Sequence, residues 1–452
     1  MRLKLDQIPD EIGFSDGADL FGYEEFSKRL TRVIEKLEHP TTWVLDGPWG
    51  SGKSTFLRQW RAELKVSQHP VIFFDAFAND FFDEAFVPLS AEIIRLTQEN
   101  IAVSHTVMET VKNSAEKAFL TLAPALAKAA VRAVSFGVID YADVKDGTEK
   151  VYDAISNAFE DVAETAAREV LDRALQSGAV FQKFHDDLEA LIELYRKNRL
   201  EAGLPDCPVI FVIDELDRCK PTFALNLVER IKHLFAIEGV VFLLVTNLEQ
   251  LEAAVCSAYG DRTDATTYLE KFYDLRLSLP VVDGKDQVVE YVQHLKNNLS
   301  IVNGESEFNE SVNSILVEFL RHQNVKLRTI EKIYSHIVIN IASLGEGTTR
   351  PEPMIVGLCI LRHLRPDLFQ KARMKKLTWE EASDFFKFAD WIEEKDWTPF
   401  CRDSWRYLTQ ESIDRREEWA FDISQYFRRF GAHKPQDFLA RGAQKIAEFD
   451  IQ

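Results

Sequence analysis

Cysteine is scarce and unpatterned in this chain. Cys207, Cys219, Cys256, Cys359 and Cys401 make an odd set with no CxxC spacing and no histidine company. That argues against a disulfide framework or a zinc site and fits a reducing cytoplasm. The opening MRLKLDQIPDEIGF has no apolar signal core or small-residue cleavage pattern, so export is not expected. A clean membrane-length run is missing too. The nearest approach, residues 118–140, carries Lys128 and Arg132 near its middle, and each costs about 2.5–3.5 kcal/mol at a helix centre. It reads as a buried or amphipathic helix instead.

Positive charge is in deficit, with 54 Lys and Arg against 73 Asp and Glu and a formal charge of −19. Such a chain repels a phosphate backbone at long range, so bulk nucleic-acid binding is disfavoured, a local basic patch stays open, and protein partners are favoured. HExxH is absent. Glu393 and Lys395 in WIEEKDW have the E-x-K spacing of one nuclease class, but that chemistry needs a further carboxylate on a neighbouring strand, and this stretch reads as helix. Internal repeats and low-complexity linkers are also missing.

What is present is a chain of 452 residues, long enough for two or three cores. Residues 24–38 place Phe26, Leu30, Val33, Ile34 and Leu37 on one helical face before the apolar run TWVLD. A glycine loop, the helical KSTFLRQWRAEL and the β-rich HPVIFFDAF follow. Residues 80–207 are Ala- and Glu-rich with helical periodicity, far more than a crossover needs. PVIFVIDELD, VVFLLVTN and LRLSLP then resume the strands. Continuous apolar strands of this kind belong to a parallel sheet covered on both faces, an α/β fold. Beyond residue 285 only helical patterns occur. Trp379, Trp391, Trp397, Trp405 and Trp419 fall there, forming either a compact core or a contact surface. The expected divisions are 1–79 and 208–284 for the sheet, 80–207 for a helical insertion, 285–345 for a helical lid and 346–452 for a helical C-terminal region.

The sequence GPWGSGKST carries the chemistry. Gly47, Gly50, Gly52, Lys53 and Ser54 satisfy GxxxxGK[ST] between a strand and a helix. In that pattern glycines let backbone N–H groups converge on phosphates, and the helix offers its positive end. The bland alternative is a glycine-rich turn capped by a serine. The expected nucleotide-binding segment is Gly47, Pro48, Trp49, Gly50, Ser51, Gly52, Lys53, Ser54 and Thr55, with Lys53 on the terminal phosphates and Ser54 on Mg2+. The apolar strand VIFVID ends in Asp214, placed to hold the magnesium. Glu215 follows, where it could orient or deprotonate water. Asn247 ends another buried strand and is either a γ-phosphate contact or a turn residue.

On these residues the chain resembles the KAP family of P-loop NTPases, related to the AAA and STAND ATPases. DLFGYEEFSKRL, GPWGSGKST, FFDAFANDFFDEAFVPL, IDELDRCKP, GVVFLLVTN and YLEKFYDLRLSLP carry the likeness, over roughly residues 18–335. Here Glu215 stands for the commoner second Asp, and Thr246–Asn247 for an Asp-ending strand. The resemblance implies a P-loop NTPase core with strand order 5-1-4-3-2, bound ATP and Mg2+, and a hydrolytic switch acting on protein partners, another copy of the chain among them. Related bacterial proteins are tied to phage exclusion. It also implies that Arg328 in NVKLRTIEK reaches over the nucleotide, against the alternative of a surface arginine. Arg218 beside Asp217 is either an ion pair shaping the loop or an arginine acting across a subunit contact. A nucleotide-held scaffold with little turnover and a small-molecule kinase remain as other functions.

Overall fold

The computed structural model describes residues 12–449 apart from 15–18, 82–84, 101–104, 123–165, 281–286, 300–305, 322, 324, 344–350, 392–396, 411–417 and 432–433. The chain divides into two compact units, one running through 53–280 and including the strand before the glycine loop, the other holding 281–452 with the loop tip 49–52.

In the first unit five strands form one sheet: β1 Thr41–Asp46, β2 Val71–Asp75, β3 Val209–Asp214, β4 Val240–Thr246 and β5 Leu275–Ser278. Their order is β2-β3-β4-β1-β5, every pair parallel, which is the expected order read from the other edge. The burial explains the sequence pattern. β4 is buried along its whole length and β3 nearly so, whereas edge strand β5 is largely exposed. Phe211 and Phe242 stack across β3 and β4 at 5.0 Å, and fully burying such a side chain stabilises by about 1.5–3 kcal/mol. Each strand ends on a polar residue, namely Asp46, Asp75, Asp214, Thr246 and Ser278. All of these gather at the carboxyl edge, where open parallel sheets bind ligands.

Helices cover the sheet. α1 Glu24–Ile34 is capped by Asp19, whose carboxylate accepts the N–H groups of Tyr23 and Glu24 at 2.7 and 2.9 Å, satisfying donors a helix start leaves open. α2 Lys53–Val66 begins at the lysine of the glycine loop and buries Phe56 and Trp60 completely. Between β2 and β3 lie α3 Phe86–Asn100, α4 His105–Leu122 and α5 Ala166–Glu201. Phe86 of α3 and Phe184 of α5 meet at 4.8 Å, and both lie 5.7 Å from Phe235 after α6 Pro221–Arg230. These helices therefore share the sheet's core. The segment read as a charge-broken apolar helix, 118–140, lies mostly outside the described residues. Among those described, no helix is long and apolar enough to cross a membrane. α7 Leu248–Tyr259 follows β4 directly, and α8 Ala265–Leu269 precedes β5.

The second unit is helical: α9 Gln287–Asn298, α10 Ser306–Arg321, α11 Leu327–Ala342, α12 Glu352–Leu364, α13 Pro366–Arg373, α14 Trp379–Phe386, α15 Trp397–Thr409, α16 Glu418–Arg428 and α17 Pro435–Ala447. Its centre is aromatic. Phe319 of α10 meets Phe386 at 4.5 Å and Trp391 at 5.0 Å edge-on. Trp405 is fully buried, and its indole N–H donates to the Pro353 carbonyl at 3.0 Å. Trp379 stacks on Phe388, while Trp419 lies under the Arg406 guanidinium. Trp391 and Trp405 thus supply core, and Trp379 and Trp419 are half-buried.

Candidate nucleotide site

β1 delivers the glycine loop to the carboxyl edge, and α2 takes it away. Gly47 N–H donates to the Thr246 carbonyl at 3.2 Å, pinning the loop's start to the end of β4. Gly50 and Gly52 have φ of 81° and 94°, a left-handed conformation that glycine adopts without a Cβ penalty. Within the second unit Gly50 lies against the start of α11, where an added Cβ would stand 3.0 Å from the Arg328 Cβ. Lys53 is buried and its ammonium donates to the carbonyls of Gly47 and Pro48. Burial lowers its pKa, opposed by the carboxylates of Asp217, Asp214 and Asp46.

Those acids come from three elements. Asp214, at the end of β3, accepts hydrogen bonds from the Glu215 N–H and the Ser54 hydroxyl, yet burial still raises its pKa, with Asp217 and Asp75 adding to the rise. Glu215 holds a left-handed backbone, φ 60° and ψ 26°, rare for a residue with a side chain and costing about 1–2 kcal/mol. Such strain clusters where a side chain must be aimed. Its carboxylate pairs with Arg218 at 2.9 Å. Burial raises the Glu215 pKa, Arg218 pulls it down, and Asp214, Asp75 and Asp217 push it up.

The remaining contacts tie strand ends together. Asp217 accepts the Asn247 N–H at 2.8 Å. Asp46 accepts the Leu248 N–H at 2.9 Å through one oxygen and pairs with Arg276 of β5 at 2.6 Å through the other. Two carboxylates thereby cap the start of α7 and fix the β4 end beside the loop.

The residues present fit a triphosphate and a magnesium ion. The Ser51 hydroxyl is buried with no hydrogen-bond partner, as is that of Thr246. Ser54 and Asp214 offer hard oxygen donors already in contact. No cluster of three or more His, Cys, Asp or Glu suited to a metal occurs among the described residues. A magnesium ion takes one or two protein oxygens and completes its shell with phosphate and water.

The structure therefore brings Gly47, Pro48, Lys53, Ser54, Asp214, Glu215 and Asn247 to one edge. Trp49, Gly50, Ser51, Gly52 and Thr55 follow from the same loop and the first turn of α2. Arg328 lies at the start of α11, near the hydrogen-bonded pair of Tyr291 and Glu331. Arg218 pairs with Glu215 at 2.9 Å, while Asp217 accepts the Asn247 N–H. Burial, with Asp80 and Asp75 nearby, pushes the Cys219 thiol well up, so it is a poor nucleophile. Glu393 and Lys395 lie outside the described residues. Sequence reasoning missed Asp46 and Asp75, and it named Thr246 only as part of a strand end. Their one signal was that each ends a strand on the edge that carries the loop.

None of the curated proteins matches the chain. The KAP family P-loop domain matches residues 23–343, from the start of the first helix to the end of α11. That span covers the greater part of the sequence and every residue assigned to the site. The chain belongs to the KAP family of P-loop NTPase domains, whose fold implies nucleotide binding.

Proposed function

We propose that the chain binds ATP with Mg2+ and hydrolyses it, using the loss of the γ-phosphate as a switch on protein partners. The observation that carries the reading is the hydrogen bond between Ser54 and Asp214 on the edge that also holds Lys53. Loop N–H groups and the Lys53 ammonium bind the β- and γ-phosphates, and α2 presents its positive end to them. Ser54 and Asp214 would hold a magnesium ion, which would supply charge neutralisation at the phosphates. Glu215 orients water, with its backbone strain fixing where the carboxylate stands, and Asn247 is a polar contact for the γ-phosphate. For Arg328 the support is its position in NVKLRTIEK and the approach of the start of α11 to Gly50 of the loop. Partner control in anti-phage defence or signalling, and self-association, rest on the family resemblance.

One observation favours a second reading, a nucleotide-held scaffold with little turnover. The Glu215 carboxylate is engaged by Arg218. Phosphate release measured with MgATP and no added acceptor separates the two. Steady turnover that stops on chelation supports the hydrolase. Binding without release makes the chain a scaffold, and release that requires a small-molecule acceptor makes it a kinase.

A further inference from the structure

Within a chain of formal charge −19, one face of the helical unit runs the other way. The end of α13 and the turn after it carry Lys371, Arg373, Lys375 and Lys376 with no acid between them. α17, which packs on α13, carries Arg441 and Lys445, and Lys434 is its N-cap residue, the three spaced by seven and four residues. Such spacing puts all three along one helical face, over about 16 Å of axis. Two contacts join the helices into one surface: Lys375 pairs with Asp437 at 2.7 Å, and Arg373 donates to the Gln444 side-chain oxygen at 2.9 Å. Asp437 is surrounded by cations, with its pKa lowered first by Lys375 and then by Lys434 and Arg441. Lys375, Lys376, Lys434, Arg441 and Lys445 are exposed.

We infer that this α13–α17 face binds the phosphate backbone of duplex nucleic acid without reading its sequence. A protein interface needs an apolar or aromatic anchor at its centre, and a membrane surface needs an apolar stripe to insert. Here Leu368, Phe369, Ala372, Leu439, Ala443 and Ile446 are buried, and Met374 is the exposed apolar side chain between the cations. Phe449, just past the end of α17, is exposed, but a single ring falls short of the row of rings on which successive unpaired bases stack, so the face suits paired strands rather than single ones. Phosphates ask only for positioned cations. At 0.1 M salt the Debye length is about 10 Å, so a duplex resting here meets these side chains rather than the charge of the whole chain.

The test is fluorescence anisotropy of the full chain with a labelled 30-base-pair DNA duplex across a salt series. About four phosphate contacts give a slope of about −3.6 in log affinity against log salt, a loss of ~10²-fold between 50 and 200 mM. The triple variant Lys376→Glu, Arg441→Glu, Lys445→Glu should lose at least ~10²-fold and flatten the slope by about 3. Its Gln counterpart should lose less, and it stands in if the Glu form melts early. A second, unrelated duplex sequence should bind equally, as should duplex RNA if phosphates alone are read, and Lys53→Ala should bind like wild type. The inference is overturned if wild type ignores the duplex at 50 mM salt, if a folded triple variant binds unchanged, if Lys53→Ala abolishes binding, or if phosphatidylserine vesicles bind while the duplex does not.

Discussion

Glu215→Gln should abolish most phosphate release, by about 10²- to 10⁴-fold, and leave ATP binding as tight as wild type or tighter. The amide keeps the size of the side chain and can still accept from Arg218, so the turn Leu216–Arg218 is preserved. What it loses is the charge and basicity that the proposed role in orienting water calls for. Its effect on binding has the opposite sign because Glu215 already sits among Asp214, Asp75 and Asp217. Removing one negative charge from that group relieves repulsion of a triphosphate. A single-turnover assay alongside nucleotide binding reads both effects. Turnover within a few-fold of wild type would remove Glu215 from the proposed chemistry.

Trp405→Ala should destabilise the helical unit by about 3–5 kcal/mol. The indole is fully buried, meets Phe386 at 4.9 Å, and supplies the hydrogen bond to the Pro353 carbonyl. Truncation leaves both a cavity and an unpaired buried acceptor. The opposite volume error is nearly as harmful. At Gly357 on α12 an added Cβ would lie 2.2 Å from Trp405 Cζ2 and 2.6 Å from Cε2, so Gly357→Ala forces the ring to move, at about 1–3 kcal/mol. Because the methyl strikes the indole itself, the two sites are coupled. Gly357→Ala should cost less when Trp405 is Phe than when it is Trp, as read by denaturant unfolding of the four proteins. Additive costs would mean that the close approach at Gly357 is not what fixes the indole.

The sheet was legible because its physics is local. Strands buried on both faces read as unbroken apolar runs, and VVFLLVT shows this most clearly, being buried at every position. Their spatial order could not come from periodicity and rested on family likeness, which the observed β2-β3-β4-β1-β5 order bears out. At the edge, sequence reasoning reached the residues of one continuous loop and the acids after β3. It could not reach contacts made between distant segments. Asp46 and Arg276 are 230 positions apart and meet only because β1 and β5 are neighbours. Arg218 lies next to Asp217 in sequence, yet the 3₁₀ turn aims it back at Glu215, while Asp217 reaches across to the start of α7. The basic face was hidden for a related reason: its cations come from segments some sixty positions apart, and the chain's total charge has the other sign.

In the proposed function the loop amides and Lys53 form an anion pocket for a nucleoside triphosphate bound with magnesium. Isothermal titration calorimetry of the wild-type chain with MgATP, repeated with Lys53→Ala, tests it most directly. Wild type should show one saturable site, and the affinity should be lower by about 2–3 kcal/mol, roughly 30- to 150-fold, once the charged hydrogen bonds of Lys53 are removed. Absence of binding heat from both ATP and GTP, or equal affinity in the two proteins, would contradict it.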